Sequence, residues 1–487
     1  MNLTLPEILY SSSNVAESKK ISQLQKKGMI RKILPKAYTS NFEESDEAII
    51  KKHIFPLIAR HYPEALVSHR TGFEFSLSPL SNIYLTSKQN RLIKWPGVTL
   101  KFAKGPAKLE NDRPLFEGLC VSSLERSFLE NLSSSRISGG ESRTVSEEVI
   151  EEKLLIQLQS GGEKRLNELR DKAKEVSKVL GMHKEFEKLN QKIGAILSTK
   201  PIDILRSPIA MAQAFGEPYD PNRVNLFHKL AASLRINAFE QRPDKASTAD
   251  EFRNFAFFEC YFSNYIEGTT FEVEEAIEII YQNKVIPNRN GDSHDIMGTF
   301  EICSNKFEMS KIASDPAEFV ELLKSRHATI MQGRPDKEPG LFKEKPNRAG
   351  STFFVLPNMV SGTLKAGFEA LATIPTPLGR AIYMMFLISE VHPFNDGNGR
   401  IARVMMNAEL VHAGEQRILI PTVYRDDYIG ALRQLTRRSL PDAFMRMLNR
   451  IHGYSHWLNP SNFDNLLQQI KSSNALQEPD QGKLDWG

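Results

Sequence analysis

Cysteine is scarce in these 487 residues: there are three, Cys120, Cys260 and Cys303, and none forms a C-x-x-C spacing. That argues against a disulfide framework and a thiolate zinc site, and it predicts a reducing compartment. Long apolar runs are also missing. The longest, at residues 381–388, falls well short of the roughly 20 residues that a membrane-crossing helix needs, so no membrane partner is expected. A charged segment followed by an apolar one does not open the chain, so a secretory signal is not expected and the expected location is cytoplasmic. Net charge is small, +4 from 63 basic and 59 acidic residues, and says little about partners. The sequence holds no G-x-x-x-x-G-K-[ST] phosphate loop and no internal repeat.

What is present is a globular composition, 40% hydrophobic and 25% charged, on a chain long enough for roughly two to four domains. Residues 1–50 carry two short helical patterns, 5–11 and 16–27, followed by two short strands over 29–38 broken at Pro35. Lys19, Lys20, Lys26, Lys27, Arg31, Lys32 and Lys36 face only Glu7 and Glu17 as acids there. A helix leading into a basic hairpin is the layout of a winged-helix DNA-binding module. The competing reading is an amphipathic helix with ordinary surface lysines.

Residues 51–200 read as an α+β region. A helical stretch at 49–60 leads into strand-like pieces at 82–86 and 98–102 and a Ser/Arg/Gly loop at 133–144. Its end, 146–197, is helical, strongly charged and interrupted at 160–162, and is expected to be a solvated surface joining two domains. Residues 201–458 read as almost wholly helical apart from a β-hairpin over 349–356. Residues 459–487 are expected to be a C-terminal tail, frayed from Ser472 onward. The fold class is therefore mainly α.

The chemistry concentrates in His392-Pro393-Phe394-Asn395-Asp396-Gly397-Asn398-Gly399-Arg400. Thr376 and Pro377 suit the start of a helix, and Pro393 ends it near His392. The Asn/Gly stretch tolerates positive φ, and a second helix runs from about Arg400 to His412. Amides of such a loop and of the new helix's first turn gather in one small space, which makes an anion site. Arg400 and Arg403, three apart, add two guanidinium groups on one face. Asp396 is placed to hold Mg2+ between phosphate oxygens, and His392 is the one neutral-pH base beside the site. Phe394 is assigned to packing. Gly397-x-Gly399-x-x-Ala402 also fits a dinucleotide fingerprint, but that motif follows a strand and this one follows a helix.

Residues 392–403 resemble the Fic family signature, H-P-F-x-[DE]-G-N-G-R-x-x-R, at every specified position. The resemblance implies an all-helical Fic domain and a nucleotidyltransferase that moves AMP from ATP to a hydroxyl of a protein target or of itself. His392 would deprotonate the hydroxyl and Asp396 would bind Mg2+. Gly397, Asn398, Gly399 and Arg400 would hold phosphates, and Arg403 would grip the γ-phosphate. A flap formed by Gly350, Ser351, Thr352, Phe353 and Phe354 would clamp the target segment. Residues 425–429 resemble the family's Arg-x-x-Tyr-Tyr segment, which puts Tyr428 on the nucleotide side, although Ile429 replaces the second tyrosine.

Thr248-Ala249-Asp250-Glu251 is a capping box that opens a helix over 248–268. Its end, Ser263-Asn264-Tyr265-Ile266-Glu267-Gly268, resembles the family's inhibitory motif, [S/T]-x-x-x-E-[G/N]. That implies a brake in which Glu267 pairs with Arg403 and Ser263 opens the motif. Residues 1–200 resemble winged-helix regulators of viral defence and abortive infection, which implies DNA binding through 1–50. Two other readings stay open: a transcriptional regulator whose Fic domain senses nucleotide, and an enzyme that removes AMP. A homodimer also stays open.

Overall fold

Residues 5–11, helical by their apolar pattern, instead supply the strand Ile8–Tyr10, which pairs antiparallel with Ala37–Thr39. The competing force is the edge of Ala37–Thr39. An edge strand leaves a row of amides and carbonyls unpaired, and a short Ile-Leu-Tyr run satisfies them better than one isolated helical turn. The computed structural model describes residues 5–11, 14–137, 139–350 and 352–486, in two compact units, 1–215 and 216–487.

In the first unit the three-stranded sheet is completed by Arg31–Leu34, turned at Pro35 and Lys36 as the sequence implied. The helix Val15–Lys26 precedes it, capped by the Asn14 side chain. Lys19, Lys20, Lys26, Lys27, Lys32 and Lys36 are exposed. Arg31 is not part of that surface: it pairs with Asp46 and donates to the Glu44 and Asn41 carbonyls. A six-stranded mixed sheet follows, in the order Arg91–Trp95, Val98–Lys104, Asn82–Ser87, Leu66–Val67, Leu119–Val121, Arg113–Phe116. Leu57, Ile58, Ile83, Leu85 and Leu100 are buried in its core.

The charged helix Glu147–Leu180 breaks at Gly161 and Gly162, where Gly162 takes φ +65. It is not merely a solvated surface. Leu154, Leu155, Leu166 and Leu169 are buried with Phe128 and Leu189 in a core of their own. The charge alternation concealed a leucine stripe at helical spacing, which buries one face while the Glu/Lys face stays wet.

The second unit is helical around Pro377–Val391, buried almost all round because helices cover it on every side. Asn398–His412 packs along it. The C-terminal segment does not fray. After the helix Phe463–Ser472, Ala475 and Leu484 are buried in the core and the Trp486 ring lies 5.4 Å from Tyr454. A few apolar side chains in a polar stretch were enough to dock it.

Candidate active site

The loop between the two central helices is set by three local devices. Thr376 accepts from the Gly379 amide with Pro377 at the first helical position, so Pro377–Val391 starts where the sequence placed it. It stops because His392 turns left-handed, φ 52 and ψ 60, ahead of Pro393. Gly397, at φ +74, then caps Asn398–His412, two residues earlier than expected. Phe394 is fully buried, as its packing role required. Asn398 Oδ1 accepts from the Phe394 amide and Nδ2 donates to its carbonyl, each at 2.9 Å.

His327 locks the loop from the opposite side. Its ring stacks on Phe394 with centroids 3.6 Å apart. Its Nδ1 accepts from the Gly340 amide at 3.0 Å, so Nε2 carries the proton and donates to the Asp396 carbonyl at 2.9 Å. Burial lowers its pKa to about 4, which keeps that tautomer neutral.

His392 is partly buried and its ring lies parallel to Phe354, 3.8 Å away. Nδ1 faces the Ser389 carbonyl at 3.4 Å, and a proton held there leaves Nε2 with a free lone pair. Burial, reinforced by the Lys343 charge, lowers the pKa to about 4, so the imidazole is neutral at pH 7. The hairpin carrying Phe354 consists of Arg348–Ala349 and Thr352–Phe353, turned through Gly350 at φ +59. Ser351 lies outside the described residues. Arg223 donates to the Phe353 carbonyl at 2.7 Å, and Arg437 to Thr352 Oγ1 at 3.3 Å. Phe353 itself is exposed.

The first intrahelical bond of Asn398–His412 is Ile401 N–H to the Gly397 carbonyl. The amides of Asn398, Gly399 and Arg400 therefore have no acceptor within the helix. Asp396 is partly exposed and accepts from the Gly397 amide at 2.7 Å. Both arginines are buried, and each already holds a carboxylate. Arg400 Nη1 meets Asp295 Oδ2 at 2.6 Å, and Arg334 reaches the same oxygen at 2.8 Å. Burial pushes the Asp295 carboxyl up against the pull of these cations. Arg403 donates from Nε to Ser263 Oγ at 2.9 Å, and from Nη2 to the Ser263 carbonyl at 2.8 Å and Glu267 Oε1 at 2.7 Å.

Glu267 closes the helix Ala249–Ile266, whose capping box at Thr248 and Glu251 is formed, and Gly268 follows at φ +92. Its carboxylate presses on the first turn of Asn398–His412: a Cβ added to Gly399 would collide with Glu267 Oε1. Tyr428 is buried, and its hydroxyl pKa is raised by burial against the neighbouring Arg403 charge. Among the described residues no three His, Cys, Asp or Glu side chains are grouped to hold a metal. Asp396 offers one partly exposed carboxylate, and Mg2+ takes one or two carboxylates and completes its shell with phosphate and water. Asp295, His327, Lys343 and Asn347 carried no sequence signal, because each acts through contacts with residues far away in the chain.

The model of the Fic/DOC family matches residues 319–410 of this chain, a stretch that contains the loop but not Glu267. The protein adenylyltransferase fic-1 of Caenorhabditis elegans is 25% identical over 186 residues, 37% of this chain and 36% of that protein. The chain thus spans about a third of the length of that relative. A Fido domain-containing protein of Dictyostelium discoideum is 27% identical over 131 residues, 25% of this chain and 92% of its own length. A solved structure of residues 134–508 of Fic-1 from C. elegans covers 67% of this chain and 99% of its own, at 17% identity and a TM-score of 0.37.

Proposed function

We propose that this chain, whose residues 319–410 match the Fic/DOC family model, is a protein adenylyltransferase that transfers AMP from ATP and is held inactive by Glu267. The observation that carries the reading is the position of one carboxylate. Glu267 bonds Arg403 while lying against Gly399, where the free amides of a helix N-terminus favour phosphate oxygens.

In the active state the triphosphate takes the place of that carboxylate, with Arg403 on the γ-phosphate and Gly397, Asn398, Gly399 and Arg400 around the others. Asp396 would hold Mg2+, which would supply neutralisation of phosphate charge when bound. The target is a Ser, Thr or Tyr hydroxyl laid along the hairpin strand Thr352–Phe353. Its proton passes to His392 Nε2 as its oxygen forms a bond to the α-phosphorus. The bond from that phosphorus to the bridging oxygen breaks, and pyrophosphate leaves with the electron pair. Incubating the Glu267→Gly protein with α-labelled and γ-labelled ATP tests this. Label retained from the α position and none from the γ position supports AMP transfer; no retained label refutes it.

We also propose that residues 1–50 contact DNA, a reading favoured by six exposed lysines on one helix and the hairpin after it.

A further inference from the structure

Lys343 is a buried charge for which the chemistry above has no use. It is 2% exposed, and no carboxylate pairs with it among the described residues. Its ammonium donates to the His392 carbonyl at 2.7 Å, to Asn347 Oδ1 at 2.6 Å and to the Val391 carbonyl at 3.4 Å. Its backbone amide donates to the Pro393 carbonyl at 2.9 Å. Asn347 Nδ2 reaches the Phe394 carbonyl at 3.1 Å and the His392 carbonyl at 3.4 Å.

Two side chains and one amide thus hold four consecutive carbonyls, Val391 to Phe394. These are the acceptors left over where the helix Pro377–Val391 ends and the chain passes through left-handed His392. A histidine at φ 52 is held there by its surroundings, because the β-carbon disfavours that conformation. Burial and the Arg223 charge lower the Lys343 pKa to about 7, while three acceptors for three N–H groups match the ammonium form.

We propose that Lys343, assisted by Asn347, is the positioning residue of the base: it pins the His392 carbonyl so that the imidazole stays stacked on Phe354, beside Asp396 and Glu267. The inference rests on the reading of His392 as the base. The ammonium bonds go to Asn347 and to the Val391 and His392 carbonyls, so its removal should act on the chemical step through His392 and leave nucleotide binding alone.

The test uses the full chain carrying Glu267→Gly, with Lys343→Met added and Lys345→Met, at an exposed lysine, as control. Lys343→Met should lower kcat by about 100-fold with KM for ATP changed less than about threefold, since small misplacements of a reacting group cost that much. An unchanged kcat, or a loss confined to KM, overturns the proposal. A second readout stands without transfer: carbethoxylation of His392 by diethylpyrocarbonate, followed by peptide mass, should speed up several-fold in Lys343→Met. An unchanged rate overturns the proposal. If the Glu267→Gly parent shows no transfer, the adenylyltransferase reading fails, and the labelling rate still decides the role of Lys343. Should Lys343→Met not fold, Asn347→Ala is read the same way, because it removes the hydrogen bonds to the His392 and Phe394 carbonyls while Lys343 stays in place.

Discussion

Glu267 Oε1 stands 2.7 Å from Arg403 Nη2 and abuts Gly399 at the same time, so one carboxylate occupies both an arginine and the first turn of a helix. Residues 136 apart in sequence are joined there in a partly buried, charge-assisted hydrogen bond. Such bonds are worth about 1.5–3 kcal/mol. Replacing Glu267 with Gly should therefore tighten ATP binding by roughly 10- to 100-fold and raise AMP labelling. Isothermal titration with ATP measures the first and autoradiography the second. Unchanged affinity would remove the brake.

His392→Ala in the released background should cut transfer by about 10²–10⁴-fold, the range for a lost general base. ATP binding should persist, because the proposed phosphate site is made by the loop amides and Arg403. Retained transfer would assign the base to another residue.

Asp396→Ala, or chelation of divalent ions with EDTA, should stop transfer by the Glu267→Gly protein, and added Mg2+ should restore only the chelated sample. Restoration of the Asp396 variant by Mg2+ would place the metal elsewhere.

His327 and His392 are both held near pKa 4, below the ordinary 6.5, chiefly by burial. Protons therefore bind the unfolded chain in preference between those two values. The stability each neutral ring contributes is full above pH 6.5 and is lost as pH falls toward 4. The urea midpoint should decline across that window, and less steeply in His327→Asn than in the parent. Equal slopes would show that His327 titrates normally when folded.

If residues 1–50 contact DNA, the full chain should shift a duplex in a salt-sensitive manner, and Lys19→Gln with Lys20→Gln should weaken the shift for any duplex sequence. No shift at low salt rejects this role.

Much of the site was legible in the residues because it is local. Thr376, Pro377, Pro393, Gly397 and Gly268 dictate helix ends through backbone sterics, and those ends fall within two residues of their expected positions. Legibility failed where a contact partner was distant. Residues 5–11 became a strand because Ala37–Thr39 offered an edge, and the last residues docked because Leu484 and Trp486 found the core.

The chain alone determined a helix, a left-handed turn, a glycine-capped second helix and the Glu267 motif at a helix end, since these follow from φ restrictions and capping chemistry among neighbours. Only the tertiary structure decided that Arg400 is committed to Asp295, that His327 holds the Asp396 carbonyl, and that Lys343 gathers the carbonyls around His392. Each rests on hydrogen bonds or ion pairs between distant parts of the chain, and such contacts exist only after packing has brought their ends together.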